Sequence, residues 1–254
     1  MFTIFNNYYM RIFKLLLIIL IALNLSCENK PKKSNKIILP KTTKKAKDQP
    51  IIVEKAFVLN DQNAIPFLFD YGKNNLEKKI RITTHYGNID IELFEETPYH
   101  RANFIFLTKE KYFDGTYFHR VVKDFIIQGG NSDSFEVSKR RQKIGRYLLP
   151  PDTKKGFKHH RGILSIPSSD IDNPYKLASP YEFFIVVDRN GAYHLDKNYT
   201  PFGKVVKGMD VVDKISNLET DKREWPIDNV KIKVEIIDWT NSLIFYDFNL
   251  KLHS

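Results

Sequence analysis

Residues 117–130 read Tyr117-Phe118-His119-Arg120-Val121-Val122-Lys123-Asp124-Phe125-Ile126-Ile127-Gln128-Gly129-Gly130. Within this stretch, 118–121 and 125–128 are short runs of aromatic and β-branched residues, which is typical of β-strands. The first run contains Arg120, which in isolation would be interpreted as an exposed, ion-pairing arginine. The stretch therefore predicts two short strands, the first of which carries a single arginine.

Further strand patterns occur on both sides of this stretch. Residues 80–83 and 89–93 alternate between apolar and polar side chains, and Tyr86-Gly87-Asn88 between them predicts a hairpin turn. One helix is predicted to begin at Thr97-Pro98 and a second after Gly208. The remaining strands are predicted at 162–166, 183–187, 202–206 and 230–237. Together these elements predict a mainly β fold, a closed eight-stranded antiparallel β-barrel with two capping α-helices.

The stretch 117–130 resembles the central signature of the cyclophilin-type peptidyl-prolyl cis-trans isomerases. The resemblance extends over residues 78–240 and includes Gly87-Asn88-Ile89-Asp90, Gly162-Ile163-Leu164-Ser165, Phe183-Phe184-Ile185-Val186, His194-Leu195-Asp196 and Phe202-Gly203-Lys204-Val205. It implies an enzyme that rotates Xaa-Pro peptide bonds and uses neither a metal nor a cofactor. Its implied partners are proline-containing segments of unfolded or exported proteins.

The resemblance also implies roles for individual side chains. Arg120, Phe125 and Gln128 would be the catalytic residues, with Gln128 orienting the arginine. The implied substrate-binding residues are Ile126, Glu182, Phe184, His194, Leu195 and Tyr199. Among these, the apolar proline pocket is expected from Phe125, Ile126, Phe184 and Leu195, and its rim from His194 and Tyr199.

The chemistry of the reaction is consistent with a site that lacks a nucleophile. Rotation of an Xaa-Pro bond passes through a twisted amide about 18–20 kcal/mol above the planar form. The twisted amide is less charge-separated than the planar amide, so an apolar pocket favours it over the ground state. A guanidinium is always charged and can only donate hydrogen bonds, so it can hold the amide without transferring a proton.

Two positions depart from the pattern of the family. Glu182 occupies the place of a glutamine that faces the groove, and Pro167 occupies a wall that receives the residues before the proline. If Glu182 lay near Arg120, its carboxylate would compete with the substrate for the guanidinium. These departures keep open an alternative function, a proline-peptide-binding module with weak or no isomerase turnover.

The net charge of +10 belongs to one end of the chain. Residues 1–49 contain ten Lys or Arg against Glu28 and Asp48, a balance of +8, which leaves +2 for the remainder. Because nucleic-acid binding requires a basic face on the folded domain, this distribution argues against a nucleic-acid partner. The predicted domain is expected to act as a monomer.

The N-terminus resembles a bacterial lipoprotein signal. Arg11 and Lys14 precede the apolar run 15–23, and Ser26 stands directly before Cys27, the only cysteine. The apolar run is shorter than the roughly 20 residues of a membrane-spanning helix. Cys27 is therefore the predicted lipidation site, which would anchor the protein to a membrane outside the cytoplasm. An uncleaved anchor and an ordinary secretory signal remain as alternatives.

The predicted organisation follows from these observations. Five segments are expected: a signal peptide at 1–26, a Lys-rich flexible tether at 27–50, an extension of uncertain structure at 51–77, the isomerase domain at 78–240 and a C-terminal extension at 241–254. The tether contains prolines and lysines but almost no aromatic residues, so it cannot bury enough apolar surface to fold alone.

Overall fold

The computed structural model describes residues 57–168 and 173–237. The predicted signal peptide, Cys27, the tether and the extension at 241–254 lie outside the described residues. In the part of the chain that is described, no helix is both long and apolar enough to cross a membrane.

The described residues form ten β-strands, eight of which make one antiparallel sheet. In chain order the strands are β1 (Leu59–Asn60), β2 (Lys79–Thr84), β3 (Gly87–Leu93), β4 (Tyr117–Val122), β5 (Ile126–Asn131), β6 (Gly145–Arg146), β7 (Ile163–Ile166), β8 (Phe183–Val186), β9 (Thr200–Lys207) and β10 (Lys233–Ile236). The short strands β1 and β6 pair in parallel as a separate sheet.

The large sheet has the order β10-β2-β3-β9-β7-β8-β5-β4. The two edges of the sheet lie next to each other. The Phe118 backbone N–H in β4 donates to the carbonyl oxygen of Val230, which precedes β10, at 2.9 Å. The Ile232 N–H donates to the Thr116 carbonyl at 2.8 Å beside this bond. The predicted eight-stranded antiparallel architecture is confirmed, and these two bonds connect the edges of the curled sheet.

The described residues contain four α-helices, where two were predicted. They are α1 (Ala64–Asn74), α2 (Pro98–Lys109), α3 (Phe135–Ile144) and α4 (Met209–Ser216). Helices α2 and α4 begin where the sequence predicts, at the proline after Thr97 and directly after Gly208. The prediction of two helices was therefore too low.

The two additional helices bury few large side chains, which explains why the apolar pattern does not reveal them. Helix α1 packs on α2 and buries Ala64, Leu68 and Gly72, and a Cβ on Gly72 would lie only 3.2 Å from the Ala102 Cβ. Helix α3 buries only two residues, and its N-terminus is capped by the Ser134 hydroxyl, which accepts from the Val137 N–H at 3.2 Å. Small residues and isolated apolar positions leave no continuous stripe to recognise.

The buried apolar residues fall into two separate clusters. The larger fills the interior of the sheet, with Ile80, Ile91, Phe118 and Phe183 among its members. The smaller, called here the outer apolar cluster, has the buried members Ile126, Ile163, Phe184, Val186, Ala192 and Leu195 and the partly buried members Phe94, Val122, Phe125 and Tyr199. A second apolar cluster beside a complete core is the feature on which the site depends.

Candidate active site

Arg120, Gln128, Phe184 and Ser165 lie opposite one another on four neighbouring strands. The register pairs Arg120 with Gln128, Gln128 with Phe184, and Phe184 with Ser165. Because directly opposed residues of antiparallel strands point to the same side, these four side chains share one face. Ile127, which stands directly before Gln128 in β5, belongs to the interior core, and successive side chains of a strand point to opposite faces. The row that contains Arg120 therefore faces outward.

The outer apolar cluster lies along this row, since Phe184 belongs to both. All of the apolar residues expected in the proline pocket are members: Phe125, Ile126, Phe184 and Leu195. Tyr199, expected at the rim, is also a member. The structure thus brings together side chains from β5, β8 and the segment before β9 into one apolar surface beside Arg120.

The turn between β4 and β5 positions Phe125. The Phe125 N–H donates to the Val122 carbonyl at 3.0 Å, and Asp124 adopts a positive φ of 57° to close the turn. The Phe125 carbonyl in turn accepts from the Val187 N–H at 2.8 Å. Both polar groups of the Phe125 backbone are therefore bound, which holds its ring at the edge of the outer apolar cluster.

Aromatic contacts build the wall of the cluster. The Tyr199 ring meets the Phe184 ring edge to face, with centroids 5.9 Å apart and an interplanar angle of 85°. The exposed His194 ring stacks on Phe125 at 5.4 Å and 22°. His194 and Tyr199 thus lie at the boundary between apolar surface and solvent, where a rim is expected.

A buried polar cluster lies behind Phe184. The His159 imidazole has Nδ1 at 2.8 Å from the Asp196 Oδ1 and Nε2 at 2.9 Å from the Ser165 Oγ. The same Asp196 oxygen accepts from the His159 backbone N–H at 2.8 Å, and the His159 ring stacks on Phe184 at 6.0 Å. His159 and Ser165 are both 0% exposed, so the serine hydroxyl is not accessible as a nucleophile. The arrangement instead fixes the position of Phe184.

The protonation states in this cluster follow from burial. Burial lowers the pKa of His159, although the hydrogen bond to Asp196 opposes that effect, so the imidazole is neutral at neutral pH. Burial alone would raise the pKa of Asp196, but hydrogen bonds from His159 lower it overall. A carboxylate can only accept, so Nδ1 carries the proton and Nε2 accepts from the Ser165 hydroxyl.

Arg120 forms an ion pair with Glu224. The Arg120 Nε donates to the Glu224 Oε2 at 2.6 Å, and the two side chains are 37% and 43% exposed. The two residues are 104 positions apart in the sequence. The loop that follows α4 therefore supplies a carboxylate directly to the predicted catalytic arginine.

The contact of Gln128 found among the described residues is to Glu182 and not to Arg120. The Gln128 Nε2 donates to the Glu182 Oε2 at 2.8 Å, and Asn131 donates to the Glu182 Oε1 at 3.2 Å. His119 Nε2 lies 3.6 Å from the same carboxylate. Glu182 replaces the neutral glutamine expected at this place by an anion, and an anion attracts these three donors to itself.

Glu182 is ionised despite its burial. Burial by itself would raise the pKa of Glu182, but the interactions with His119 and the hydrogen bond from Gln128 outweigh it and lower the pKa. A contact between Glu182 and Arg120 is not among the ion pairs of the described residues. The condition for direct competition between Glu182 and the substrate for Arg120 is therefore not met.

Comparison with known families identifies the fold. The model of the family described as cyclophilin-type peptidyl-prolyl cis-trans isomerase/CLD matches residues 79–236, more than half of the chain. This chain belongs to the cyclophilin family. It is accordingly an enzyme of the peptidyl-prolyl cis-trans isomerase class, as the resemblance of residues 117–130 implies.

Curated relatives of this cyclophilin come from bacteria and eukaryotes. It is 39% identical over 145 residues to a peptidyl-prolyl cis-trans isomerase of Acinetobacter baylyi, a match that covers 56% of this chain and 73% of the relative. It is 38% identical over 167 residues to the isomerase-like 2 protein of Rhizopus delemar, which covers 65% of this chain but only 30% of that protein. Isomerase A of Dickeya dadantii is 33% identical, with 62% and 80% covered.

Solved structures show the same fold. The crystal structure of a cyclophilin-type isomerase of Cryptosporidium parvum matches with a TM-score of 0.54 and 31% identity, covering 64% of this chain and 98% of that one. A second structure of that protein, determined in the presence of the dipeptide Ala-Pro, matches with a TM-score of 0.53 and 31% identity, covering 63% and 99%.

Several residues at the site of this cyclophilin were not predicted from the sequence. Val186 was recognisable, because it follows Phe184 by two positions on one strand and so shares its face. His159 lies before β7 in a stretch without apolar period, so its contacts with Asp196 and Ser165 were not predicted. Within 57–168 and 173–237, no three His, Cys, Asp or Glu side chains are grouped to hold a metal. Glu224 lies in a loop without periodicity, so no local pattern indicates its contact with Arg120.

Proposed function

We propose that this cyclophilin isomerises Xaa-Pro bonds on the outward face of its sheet. The proline ring would bind the outer apolar cluster, and Arg120 would act on the amide that precedes it. The observation that carries the proposal is that Arg120 shares one row with Phe184, a buried member of that cluster. The individual roles of Arg120, Phe125, Gln128 and the rim residues are part of this proposal.

The apolar cluster and the arginine contribute at different points of the reaction. Apolar surface around the ring and its nitrogen favours the twisted amide, which is less charge-separated than the planar one. It also holds the ring while the acyl side rotates. The ion pair uses Nε of Arg120, and the two Nη groups of a guanidinium carry four further N–H donors that can hold the carbonyl oxygen or the nitrogen lone pair.

The experiment that tests this function compares the full chain with Arg120→Ala. In an assay limited by isomerisation of a proline peptide, the variant should lose at least about tenfold in turnover, equivalent to about 1.4 kcal/mol in the barrier. Circular dichroism should show an unchanged fold. Equal activity of the two proteins would remove Arg120 from the proposal.

A measurement on the wild-type chain decides between the enzyme and the peptide-binding module. The binding module predicts that the wild-type chain binds a proline peptide in NMR titration without accelerating its cis-trans exchange. Glu182, whose carboxylate accepts from the amide of Gln128, is the departure that would favour this outcome.

We further propose that the enzyme acts on exported proteins from a membrane surface outside the cytoplasm. The support is the signal-like segment before Cys27 and the Lys-rich composition of residues 27–50. The slow exchange of Xaa-Pro bonds limits folding of exported chains as it does others. A lipid on Cys27 would hold the isomerase where those chains emerge.

Cys27→Ser tests the lipid anchor. The variant should move from the membrane fraction to the soluble fraction, and metabolic labelling with a fatty acid should disappear. A variant that stays in the membrane with an unprocessed N-terminus would contradict lipidation and favour an uncleaved anchor.

A further inference from the structure

The loop after α4 forms hydrogen bonds with two adjacent residues of β4. The Glu224 side chain accepts from the Arg120 Nε at 2.6 Å, and the Glu224 backbone carbonyl accepts from the Val121 N–H at 2.8 Å. One residue of the loop therefore binds both the predicted catalytic side chain and the backbone immediately after it. A carboxylate anchored at its own backbone holds its partner in a narrower range of orientations than a side chain on a free loop does.

Glu224 adopts a conformation that must be stabilised by its surroundings. Its φ is +63°, in the left-handed region that residues other than glycine rarely occupy. Such a conformation persists where neighbouring contacts over-determine it, and it concentrates at functional sites.

Asp221 supplies those neighbouring contacts. Its carboxylate accepts from the backbone N–H groups of Arg223 and Trp225 at 2.8 and 2.9 Å, and its carbonyl accepts from the Glu224 N–H at 3.0 Å. The Asp221 N–H also donates to the Trp225 carbonyl at 2.8 Å. The turn is therefore closed around Glu224 by its own hydrogen bonds, which direct its side chain at Arg120.

Glu224 can position Arg120 without competing with the substrate for the same N–H donors. The recorded contact involves Nε alone, on one edge of the planar group. No hydrogen bond of the two Arg120 Nη groups is found within residues 57–168 and 173–237, so Glu224 and a substrate can use different donors of the same guanidinium. A contact that fixes one edge and leaves the other free orients the arginine without blocking it.

We propose that Glu224 is a positioning residue, which holds the Arg120 guanidinium in its catalytic orientation through Nε. This inference rests on the proposed isomerase function and adds a determinant that lies outside the signature stretch. It predicts that the loop 221–225 contributes to turnover although it is distant in sequence from the outer apolar cluster.

The test uses Glu224→Gln in the full chain. Glutamine keeps the length of the side chain and the backbone cost of a positive φ, but it removes the charge that binds Nε. We expect kcat/KM for a proline peptide to fall roughly threefold to tenfold, mainly in kcat, because the orientation of the arginine matters in the transition state. The Arg120 Nε–H signal in a nitrogen-15 spectrum should shift and exchange faster with water.

A matched control is Glu235→Gln. Glu235 pairs with Lys233 at 2.7 Å, and its side chain is 42% exposed, close to the 43% of Glu224. It lies on β10, away from the outer apolar cluster, so its replacement should leave kcat/KM unchanged. A similar loss in both variants would show a general effect of charge and overturn the inference.

A double-mutant cycle shows whether Glu224 acts through Arg120. In an Arg120→Ala background the Glu224→Gln substitution should have no further effect, because the group that it positions is absent. Unchanged or increased kcat/KM in the single variant Glu224→Gln would overturn the positioning role, an increase indicating competition instead. If Arg120→Ala is as active as the wild type, Arg120 has no part in the reaction and the positioning role fails, whereas a wild-type chain without turnover would overturn the proposed isomerase function itself.

Discussion

The Gln128 Nε2 lies 2.8 Å from the Glu182 Oε2, so the amide expected to orient Arg120 is bound to a carboxylate instead. The orienting contact to Arg120 comes from Glu224, on a different loop. Arg120, Gln128 and Phe184 share one row of the sheet, but within this row the Gln128 amide contacts Glu182. Glu182 and Glu224, which both lie outside residues 117–130, thus accept hydrogen bonds from Gln128 and Arg120 of this stretch.

Replacing Glu182 by glutamine should destabilise this cyclophilin at neutral pH. An amide presents one oxygen where the carboxylate presents two, so either Gln128 or Asn131 would face another donor. We expect the free energy of unfolding to fall by about 1 kcal/mol, the lower end of the cost of a buried donor without its acceptor, because both contacts are only partly buried. Urea denaturation of the two proteins at pH 7 measures the difference.

The pH dependence gives a second check on Glu182. Its pKa is lower in the folded protein than the ordinary value of 4.5, so its ionised form stabilises the fold above that pH and the contribution is lost as the pH falls. The difference between wild type and Glu182→Gln should therefore shrink below about pH 4.5. A difference that stays constant down to pH 3 would show that the carboxylate charge does not contribute.

Ser165→Ala should weaken substrate binding more than it slows turnover. The substitution removes the hydroxyl that donates to His159 Nε2, and through His159 this hydroxyl links β7 to Asp196, the residue after Leu195. A looser wall of the outer apolar cluster would affect ground state and transition state alike, which raises KM with a smaller change in kcat. Peptide titrations and steady-state kinetics separate the two effects.

Ser216→Ala is the matched control for Ser165→Ala. Ser216 is 2% exposed, comparable to Ser165, but it lies in α4 and not in the outer apolar cluster. Its replacement should change stability without changing KM. Equal values of KM for Ser165→Ala and the wild type would contradict the proposed contribution of the buried polar cluster to the pocket.

The architecture could be predicted from the sequence to the extent that each element carries its own pattern. Strands such as β2 alternate with period two, β7 and β8 are short runs of mainly apolar residues, and Thr97-Pro98 marks the start of a helix, so these elements were found. Helix α1 was not. It meets α2 through Gly72 beside Ala102 and through Phe67 and Tyr71 beside Phe106, but its fully buried residues are only Ala64, Leu68 and Gly72, which give a weak apolar period. Local patterns report burial of large side chains and miss close packing of small ones.

In the candidate site, the apolar residues could be predicted from the sequence and the polar contact of Arg120 could not. The apolar members follow from order along the chain, since Phe125 and Phe184 stand at fixed places relative to Arg120. The Arg120–Glu224 pair depends instead on a positive φ in a loop and on a separation of 104 residues. Neither the conformation of a loop nor a single long-range polar contact leaves a periodic trace in the sequence.

His194→Ala should impair binding of proline peptides while leaving stability unchanged. The His194 ring is exposed and contacts Phe125 by stacking, so the folded protein loses little buried area when it is removed. A peptide bound over Phe125 would lose one side of the rim. We expect KM to rise roughly threefold, with the unfolding free energy changed by less than about 0.5 kcal/mol, as is usual for surface sites. A large fall in stability with unchanged KM would place His194 in the scaffold.

His100 should make the fold sensitive to mild acid. Its side chain is 1% exposed in α2, and neither ring nitrogen has a hydrogen-bond partner among the described residues. Burial lowers the pKa of His100 from 6.5 to about 4. Between these two values the unfolded chain binds a proton that the folded protein does not, so stability falls as the pH drops through this range. The expected loss from His100 is about 2 kcal/mol between pH 7 and pH 5.

His100→Leu measures that contribution, because leucine fills a similar volume and does not titrate. The free energy of unfolding of the variant should depend less on pH than that of the wild type between pH 7 and pH 5, by about 2 kcal/mol. Other groups that titrate in this range, His159 included, are common to both proteins and cancel in the comparison. If leucine does not fit beside Phe202, whose ring centroid is 6.2 Å from that of His100, His100→Asn gives the same test from a lower starting stability. Wild type and variant with the same slope of stability against pH would show that His100 is protonated at its ordinary pKa in the folded protein and that burial does not hold it neutral.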